Sequence, residues 1–176
     1  KHISLEVLSD DENTMIKEAI KLSSLADNVW IKIPISFTNG ASTINVIKQI
    51  KNEVKLNITA IFTFEQIKNI IDVIMDSNTI LSVFAGRIYD IGLDANQIIK
   101  PISKFVHDNS KCELLWASPR MTYDLFSAKN SNCDIITMPY DLVKKIDIIG
   151  TNPMDYSIST VKMFYNDAQA AKYNIV

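Results

Sequence analysis

The sequence predicts an α/β fold, namely most of a (β/α)8 barrel. Three observations carry this expectation. First, short runs rich in Ile and Val alternate six times with longer segments of helical spacing along the 176 residues. Strand, helix, strand repeated in this way implies parallel pairing, because a parallel partner needs a crossover. Second, six units in this length take roughly 29 residues each, close to the roughly 31 of a 250-residue barrel of eight units. Two units ahead of residue 1 would complete such a ring. Third, each strand carries one apolar face and one with polar residues. A doubly wound sheet meets helices on both faces and calls for apolar residues on both, whereas a barrel tolerates polar groups on its inner wall near the catalytic end.

The expected strands fall at about 3–8, 29–35, 57–62, 79–85, 113–118 and 133–138. The acidic cluster Asp10, Asp11 and Glu12 suits the positive end of a helix dipole and opens the first helix. Met15, Ala19, Leu22 and Leu25 then recur at helical spacing. Ile44, Ile47 and Ile50 mark a second helix, Ile67, Ile70, Ile71 and Ile74 a third, and Ile98, Ile99, Ile102 and Phe105 a fourth. Met121, Leu125 and Ala128 suggest a fifth, Tyr140 to Lys145 a short sixth, and Ser157 to Tyr173 a last helix. Ile3, Leu5 and Val7, Val29, Ile31 and Ile33, Ile58 and Ala60, Leu81 and Val83, Leu115 and Ala117, and Ile136 and Met138 form the apolar faces. The opposite faces carry Ser4 and Glu6, Lys32, Asn57 and Thr59, Ser82, Ser118 and Thr137.

Residues 1–176 read as a single domain, without linker or low-complexity segment. Apolar residues make up 47% and charged residues 22%, which excludes a disordered chain. A net charge of −2 argues against a general nucleic-acid binder. No apolar run approaches the roughly 18 residues of a membrane span, and no signal peptide is visible. Two cysteines, Cys112 and Cys133, read as free thiols of a cytoplasmic protein. The chain begins at Lys1 rather than Met and enters a strand within two residues, so a longer N-terminus is expected.

Lys32 is the sharpest chemical signal. It sits in Val-Trp-Ile-Lys-Ile-Pro-Ile, inside an apolar strand that Pro34 is expected to end. It is either a strand-end lysine reaching solvent or a Schiff-base nucleophile freed by burial to attack a carbonyl. Glu6 is the matching anomaly, as a structural ion pair with Lys32 or as an acid/base group serving imine chemistry. Only two of the 18 basic residues are arginines, Arg87 and Arg120, and both follow a strand at the same end of the sheet. Arginine holds phosphate through a planar fork, so the pair suggests an anion site, against two unrelated surface charges. Ser118 stands beside Arg120. His2 and His107 make no metal pattern, and the glycines are too scattered for a phosphate loop.

Five motifs in register on successive strands resemble the transaldolase family: Ile-Ser-Leu-Glu-Val (3–7), Ile-Lys-Ile-Pro-Ile (31–35), Asn-Ile-Thr-Ala-Ile-Phe-Thr-Phe-Glu-Gln (57–66), Ser-Val-Phe-Ala-Gly-Arg-Ile-Tyr-Asp (82–90) and Ala-Ser-Pro-Arg (117–120). The resemblance implies a class I aldolase-type TIM barrel, here represented by its third to eighth units. It implies that Lys32 forms the Schiff base, that Glu6 activates the catalytic water and that Thr59 helps to position it. Asn57 would hydrogen-bond the substrate, Ser82 and Phe84 would line the pocket, and Arg87, Ser118 and Arg120 would bind the sugar phosphate. The implied reaction moves a dihydroxyacetone unit from a ketose phosphate to an aldose phosphate in the pentose phosphate pathway and needs no cofactor or metal. The implied partners are fructose 6-phosphate, sedoheptulose 7-phosphate, erythrose 4-phosphate and glyceraldehyde 3-phosphate.

Fructose-6-phosphate aldolases share the fold and the lysine but usually have Gln in place of Glu6 and Tyr in place of Phe84. Both positions here follow transaldolase. A homo-oligomer, pentamer or decamer as in the small transaldolases, is a further expectation of the resemblance, and the C-terminal helix is a segment that could pack on a neighbour. The family's first strand supplies an Asp that takes the C4 hydroxyl proton, and its second an Asn near the substrate; neither is identified here. Cleavage releasing free dihydroxyacetone, and a non-catalytic sugar-phosphate-binding protein, stand as alternatives.

Overall fold

The computed structural model describes residues 1–172 and Ile175. Lys1–Pro139 and Tyr140–Val176 form two compact units. The first contains six strands, β1 (Ile3–Glu6), β2 (Val29–Pro34), β3 (Leu56–Ile61), β4 (Ile80–Val83), β5 (Glu113–Trp116) and β6 (Ile135–Ile136). They lie in chain order, and every neighbouring pair is parallel. Chain order settles the architecture, because a doubly wound sheet reverses its strand order at a switch point and this sheet has no reversal among the described residues. The sheet also curls. Six strands laid flat would span about 24 Å, yet Ser4 on β1 and Ile135 on β6 line the same cavity. The unit is α/β, a partial (β/α)8 barrel open between β1 and β6.

Helices α1 (Glu12–Ser23), α2 (Ile44–Ile50), α3 (Phe64–Ile74), α4 (Ala85–Asp90), α5 (Ala95–Asn109) and α6 (Asp124–Asn130) connect the strands. Their starts follow from local chemistry. Asp11 caps α1 by accepting from the Thr14 amide at 2.9 Å. Thr63 and Gln66 form a reciprocal capping box at α3. Asp94 caps α5 by accepting from the Asn96 amide. The main core lies between the outer face of the sheet and these helices. Ile31 and Ile33 of β2, Ile58 and Ile61 of β3, and Val83 of β4 pack with Ile47, Ile67, Ile70, Ile74 and Ile99, all fully buried. Fully burying each such side chain contributes about 1.5–3 kcal/mol.

Three details differ from the alternation read in the sequence. Ala60 is not a core-facing strand residue. It adopts φ 59°, and the β3–β4 register shifts between Ile58 and Ile61. This bulge keeps Thr59 on the inner wall and returns Ile61 to the core. On β5, Leu114 and Trp116 face the helices, while Leu115 and Ala117 belong to a second cluster with Trp30 and Ile80 on the inner side. Leu115 and Ala117 are therefore inner-wall residues, because β5 is apolar on both faces and the bulkier pair fills the helix layer. Finally, α4 follows β4 after Phe84 alone, where the sequence suggested only a strand end.

The second unit contains α7 (Tyr140–Val143), a 3₁₀ turn (Ile146–Ile148) and α8 (Pro153–Ala171). The long helix starts at Pro153 rather than Ser157, because Asn152 accepts from the Met154 amide and Pro153 takes the first turn. The expected end at Tyr173 lies outside the described residues. No helix among the described residues is long and apolar enough to cross a membrane.

Gly86 stands where a side chain has no room. Its amide approaches the Ala117 carbonyl at 3.5 Å, and a Cβ there would meet the Ser118 carbonyl oxygen at 1.6 Å. Gly86→Ala should lower the unfolding free energy by about 1–3 kcal/mol. Urea unfolding followed by circular dichroism reads this directly, and an unchanged midpoint would contradict the packing.

Candidate active site

The inner wall of the sheet encloses an open cavity of about 550 Å³, within the usual range for small-molecule sites. Strand register builds it. Glu6 pairs with Lys32, and Lys32 pairs with Asn57, so these three side chains stand in one row across β1, β2 and β3. Thr59 lies one inward step further, opposite Pro34. Ser82 joins from β4, and Leu115, Ala117, Ile135 and Thr137 complete the far wall.

Loops at the strand ends hold this row. Glu18 accepts from the Leu8 amide at 2.8 Å and from the Ser9 amide at 3.0 Å, fixing the chain just after Glu6. These bonds hold its carboxyl below the usual range. Asp10 accepts from the Thr38 amide at 2.8 Å and from the Thr38 hydroxyl. Those bonds, the hydroxyl first, lower its pKa in turn, and they tie the loop after β1 to the loop after β2. Thr43 donates to the Pro34 carbonyl at 2.6 Å and fixes the end of β2.

Lys32 is half-buried, with its side chain 28% exposed, and its Nζ lies 3.2 Å from Glu6 Oε2. The same Nζ stands 5.9 Å from the centroid of the Phe84 ring. Both sequence readings of Glu6 start from this pair, so the ion pair itself does not choose between them. Asn57 is oriented from two sides. Its Nδ2 donates to Ser4 Oγ at 3.0 Å, and its Oδ1 accepts from Ser82 Oγ at 2.7 Å. Asn57 and Ser82 are buried. Thr59 is 1% exposed, yet its hydroxyl has no hydrogen-bond partner. A buried hydroxyl left unpaired costs about 1–3 kcal/mol, and this one belongs to a residue lining the cavity.

Part of the cavity wall is apolar, lined by Ile80, Leu115 and Ile135; these pack with Trp30, whose ring lies 5.0 Å from that of His2. At the other end Arg87 lies with Cζ 5.4 Å from the Phe84 centroid. Among the described residues it makes no ion pair. Ser118 lines the cavity from a left-handed backbone, φ 59°, a conformation that costs a non-glycine residue about 1–3 kcal/mol.

The cavity thus gathers Lys32, Asn57, Thr59, Ser82, Phe84, Arg87 and Ser118, and Glu6 reaches it through Lys32. Arg120 stands apart, its guanidinium paired with Asp90. Three participants were not singled out in the sequence. Ser4 orients Asn57, and its place on the polar face was the available signal. Gly86 admits Ser118, and Asp90 holds Arg120; no spacing rule points to either. Among the described residues no cluster of His, Cys, Asp and Glu is arranged to hold a metal. A lysine amine beside a carboxylate, with bound-group donors around it and a cationic end, can condense with a carbonyl compound that carries an anionic group.

The sequence profile of the Transaldolase/Fructose-6-phosphate aldolase family matches residues 1–175. A probable transaldolase of Thermoanaerobacter sp. (strain X514) is 34% identical over 145 residues, covering 82% of this chain and 64% of that protein. Probable transaldolases of Methanococcus vannielii and Caldicellulosiruptor saccharolyticus are each 32% identical, again over 82% of this chain and over 65% and 64% of their own lengths. The chain spans less than two thirds of the length of these relatives. With a profile match along nearly all of its residues, the chain belongs to the transaldolase/fructose-6-phosphate aldolase family.

Proposed function

We propose that this chain carries the Schiff-base and phosphate-binding part of a transaldolase, which moves a dihydroxyacetone unit between sugar phosphates in the pentose phosphate pathway. The observation that carries this reading is the position of Lys32 Nζ, on the cavity wall and 3.2 Å from Glu6. In this mechanism the Lys32 amine attacks the ketose carbonyl, and the resulting carbinolamine loses water to give a protonated imine. Glu6 handles that water and its proton. Cleavage of the C3–C4 bond needs a base for the C4 hydroxyl proton, a role the resemblance gives to an Asp of the family's first strand rather than to a residue of β1 to β6. As that proton leaves, the bonding pair flows into the protonated imine, giving an enamine and releasing an aldose phosphate. The enamine then adds to the carbonyl of an acceptor aldose phosphate, and hydrolysis frees Lys32. Asn57 binds the substrate through the second hydrogen of its amide. Thr59 accepts or donates at the catalytic water, and Arg87 with Ser118 holds the phosphate.

Borohydride reduction in the presence of fructose 6-phosphate tests the central step. It should leave an adduct on the peptide containing Lys32, and Lys32→Met should abolish the adduct while phosphate binding persists. An undiminished adduct in that variant would remove Lys32 from the chemistry. A product assay with and without an acceptor aldose then separates transfer from cleavage to free dihydroxyacetone.

Thr59→Val replaces an unpaired hydroxyl by a methyl group of the same shape. It should leave stability unchanged or raise it by up to about 1 kcal/mol, yet slow adduct formation about tenfold. Urea unfolding and timed borohydride quenching measure the two effects, and an unchanged rate would deny Thr59 its role.

Arg87→Ala should weaken binding of fructose 6-phosphate about tenfold or more, the scale of a lost charge-assisted contact. Trapping of unphosphorylated dihydroxyacetone should be unaffected. Equal losses for both ligands, by titration and trapping, would count against a phosphate role.

A further inference from the structure

Arg120 follows Ser118 in the chain by two residues, yet it does not line the cavity that Ser118 lines. Its path explains why. The Arg120 amide donates to Asp124 Oδ2 at 2.7 Å, and Asp124 is 1% exposed, so the backbone is anchored. From there the side chain runs across α4. Its Cγ lies where a Cβ on Gly86 would come within 3.0 Å, and its Nη2 ends on Asp90 Oδ2. Gly86 and Asp90 are four residues apart, about 6 Å along the helix axis. Gly86 lies at the end of α4 that adjoins Phe84 and the cavity, and Asp90 at the far end. The arginine is thus laid along the helix, away from the cavity.

Asp90 gains nothing for the helix by being there. A carboxylate in the last turn opposes the helix macrodipole. Its side chain is half exposed, as is that of Arg120, so the pair is held weakly and is open to exchange. A phosphate monoester carries the same kind of acceptor oxygens as the carboxylate, with more charge.

We infer that Asp90 is a built-in competitor for phosphate, holding Arg120 off the cavity until a phosphorylated ligand draws the guanidinium away. This rests on the phosphate reading of the arginine end. Asp90 then sets how strongly the site prefers phosphorylated ligands: Arg87 receives the phosphate first, and Arg120 exchanges its carboxylate partner for it. No bond is made or broken beyond this exchange of ion pairs.

The test is calorimetric titration of this chain with inorganic phosphate and with fructose 6-phosphate, on the wild type and on Asp90→Asn, Arg120→Ala, the double variant and Arg87→Ala. Asp90→Asn should raise affinity for both probes about two- to fivefold, the range an exposed ion pair can withhold. Arg120→Ala should lower it, and the double variant should bind no better than Arg120→Ala. If Asp90→Asn weakens binding or leaves it unchanged, Asp90 orients Arg120 or is a bystander, and the competition is refuted. A gain that persists in the Arg120→Ala background would reflect only the lost negative charge and would also refute it. If Arg87→Ala and Arg120→Ala both bind as the wild type does, the phosphate reading fails and takes this inference with it. If Arg87→Ala alone weakens binding, the phosphate reading stands and the exchange falls. Asp90→Ser repeats the test should circular dichroism show that Asp90→Asn is misfolded.

Discussion

Glu6, Lys32 and Asn57 stand in one row because three parallel strands pair in a single register, and the rest of the site depends on that register. Side chains on a strand alternate between faces, so a slip of one residue would turn every one of them over. On β2 such a slip would drive Lys32 among the helices and bring Ile31 and Ile33, both 0% exposed, onto the open wall. Removing two isoleucines from the core costs about 1.5–3 kcal/mol each, and burying an unpaired ammonium ion costs several kcal/mol more. The outer core therefore sets the geometry of the inner wall. The residues that bring Lys32 within 3.2 Å of Glu6 include isoleucines that never touch the cavity.

The inner wall is rigid in one place and deliberately unsatisfied in another. Asn57 has its amide fixed from both sides by Ser4 and Ser82. An amide bonded on both sides is restrained in its plane, and Nδ2 keeps a second hydrogen for a ligand. Its neighbour Thr59 has no partner for its hydroxyl. Buried polar atoms without partners are rare in native proteins and call for an explanation. The bulge at Ala60 shows that the placement is local design: φ 59° is a strained value for alanine, and without the bulge the chain beyond Thr59 could not return Ile61 to the core.

Much of this was legible in the sequence, and the misses share a cause. Alternation of apolar runs with helical segments gave the six units, and period-two parity on β1 to β4 put Lys32, Asn57, Thr59 and Ser82 on one face. Arg87 followed from its place just after a strand, Ser118 from the polar face of the fifth strand, and Phe84 from the family resemblance alone. Parity failed at Ala60 because a bulge inserts a residue that period-two reading cannot see. It failed at Leu115 and Ala117 because β5 is apolar on both faces, which leaves parity without contrast. Helix α4 was missed because six residues with a glycine at the second position make too short a pattern. The Asp90–Arg120 pair joins residues 30 apart in the chain, and the close approach at Gly86 is a contact between backbones. Both are products of tertiary packing alone.

The distribution of charge around the cavity gives it a direction. Three cations surround Phe84 and α4, and two of them have carboxylate partners: Lys32 has Glu6 and Arg120 has Asp90. Arg87 makes no ion pair among the described residues and lies against the Phe84 ring. A low-dielectric wall concentrates the field of an unpaired charge, so an anionic group entering the cavity is drawn first to the Arg87 end. The Phe84 centroid also lies 5.9 Å from Lys32 Nζ, so Lys32 and Arg87 stand at two approaches to the same ring. Under the proposed mechanism, a ligand anchored by its anion at Arg87 would extend its uncharged end past this ring toward Lys32. In that proposed mode the ion pair of Lys32 with Glu6 would leave Arg87 as the stronger attractor for the anion, so that the ligand is oriented before a bond to it forms.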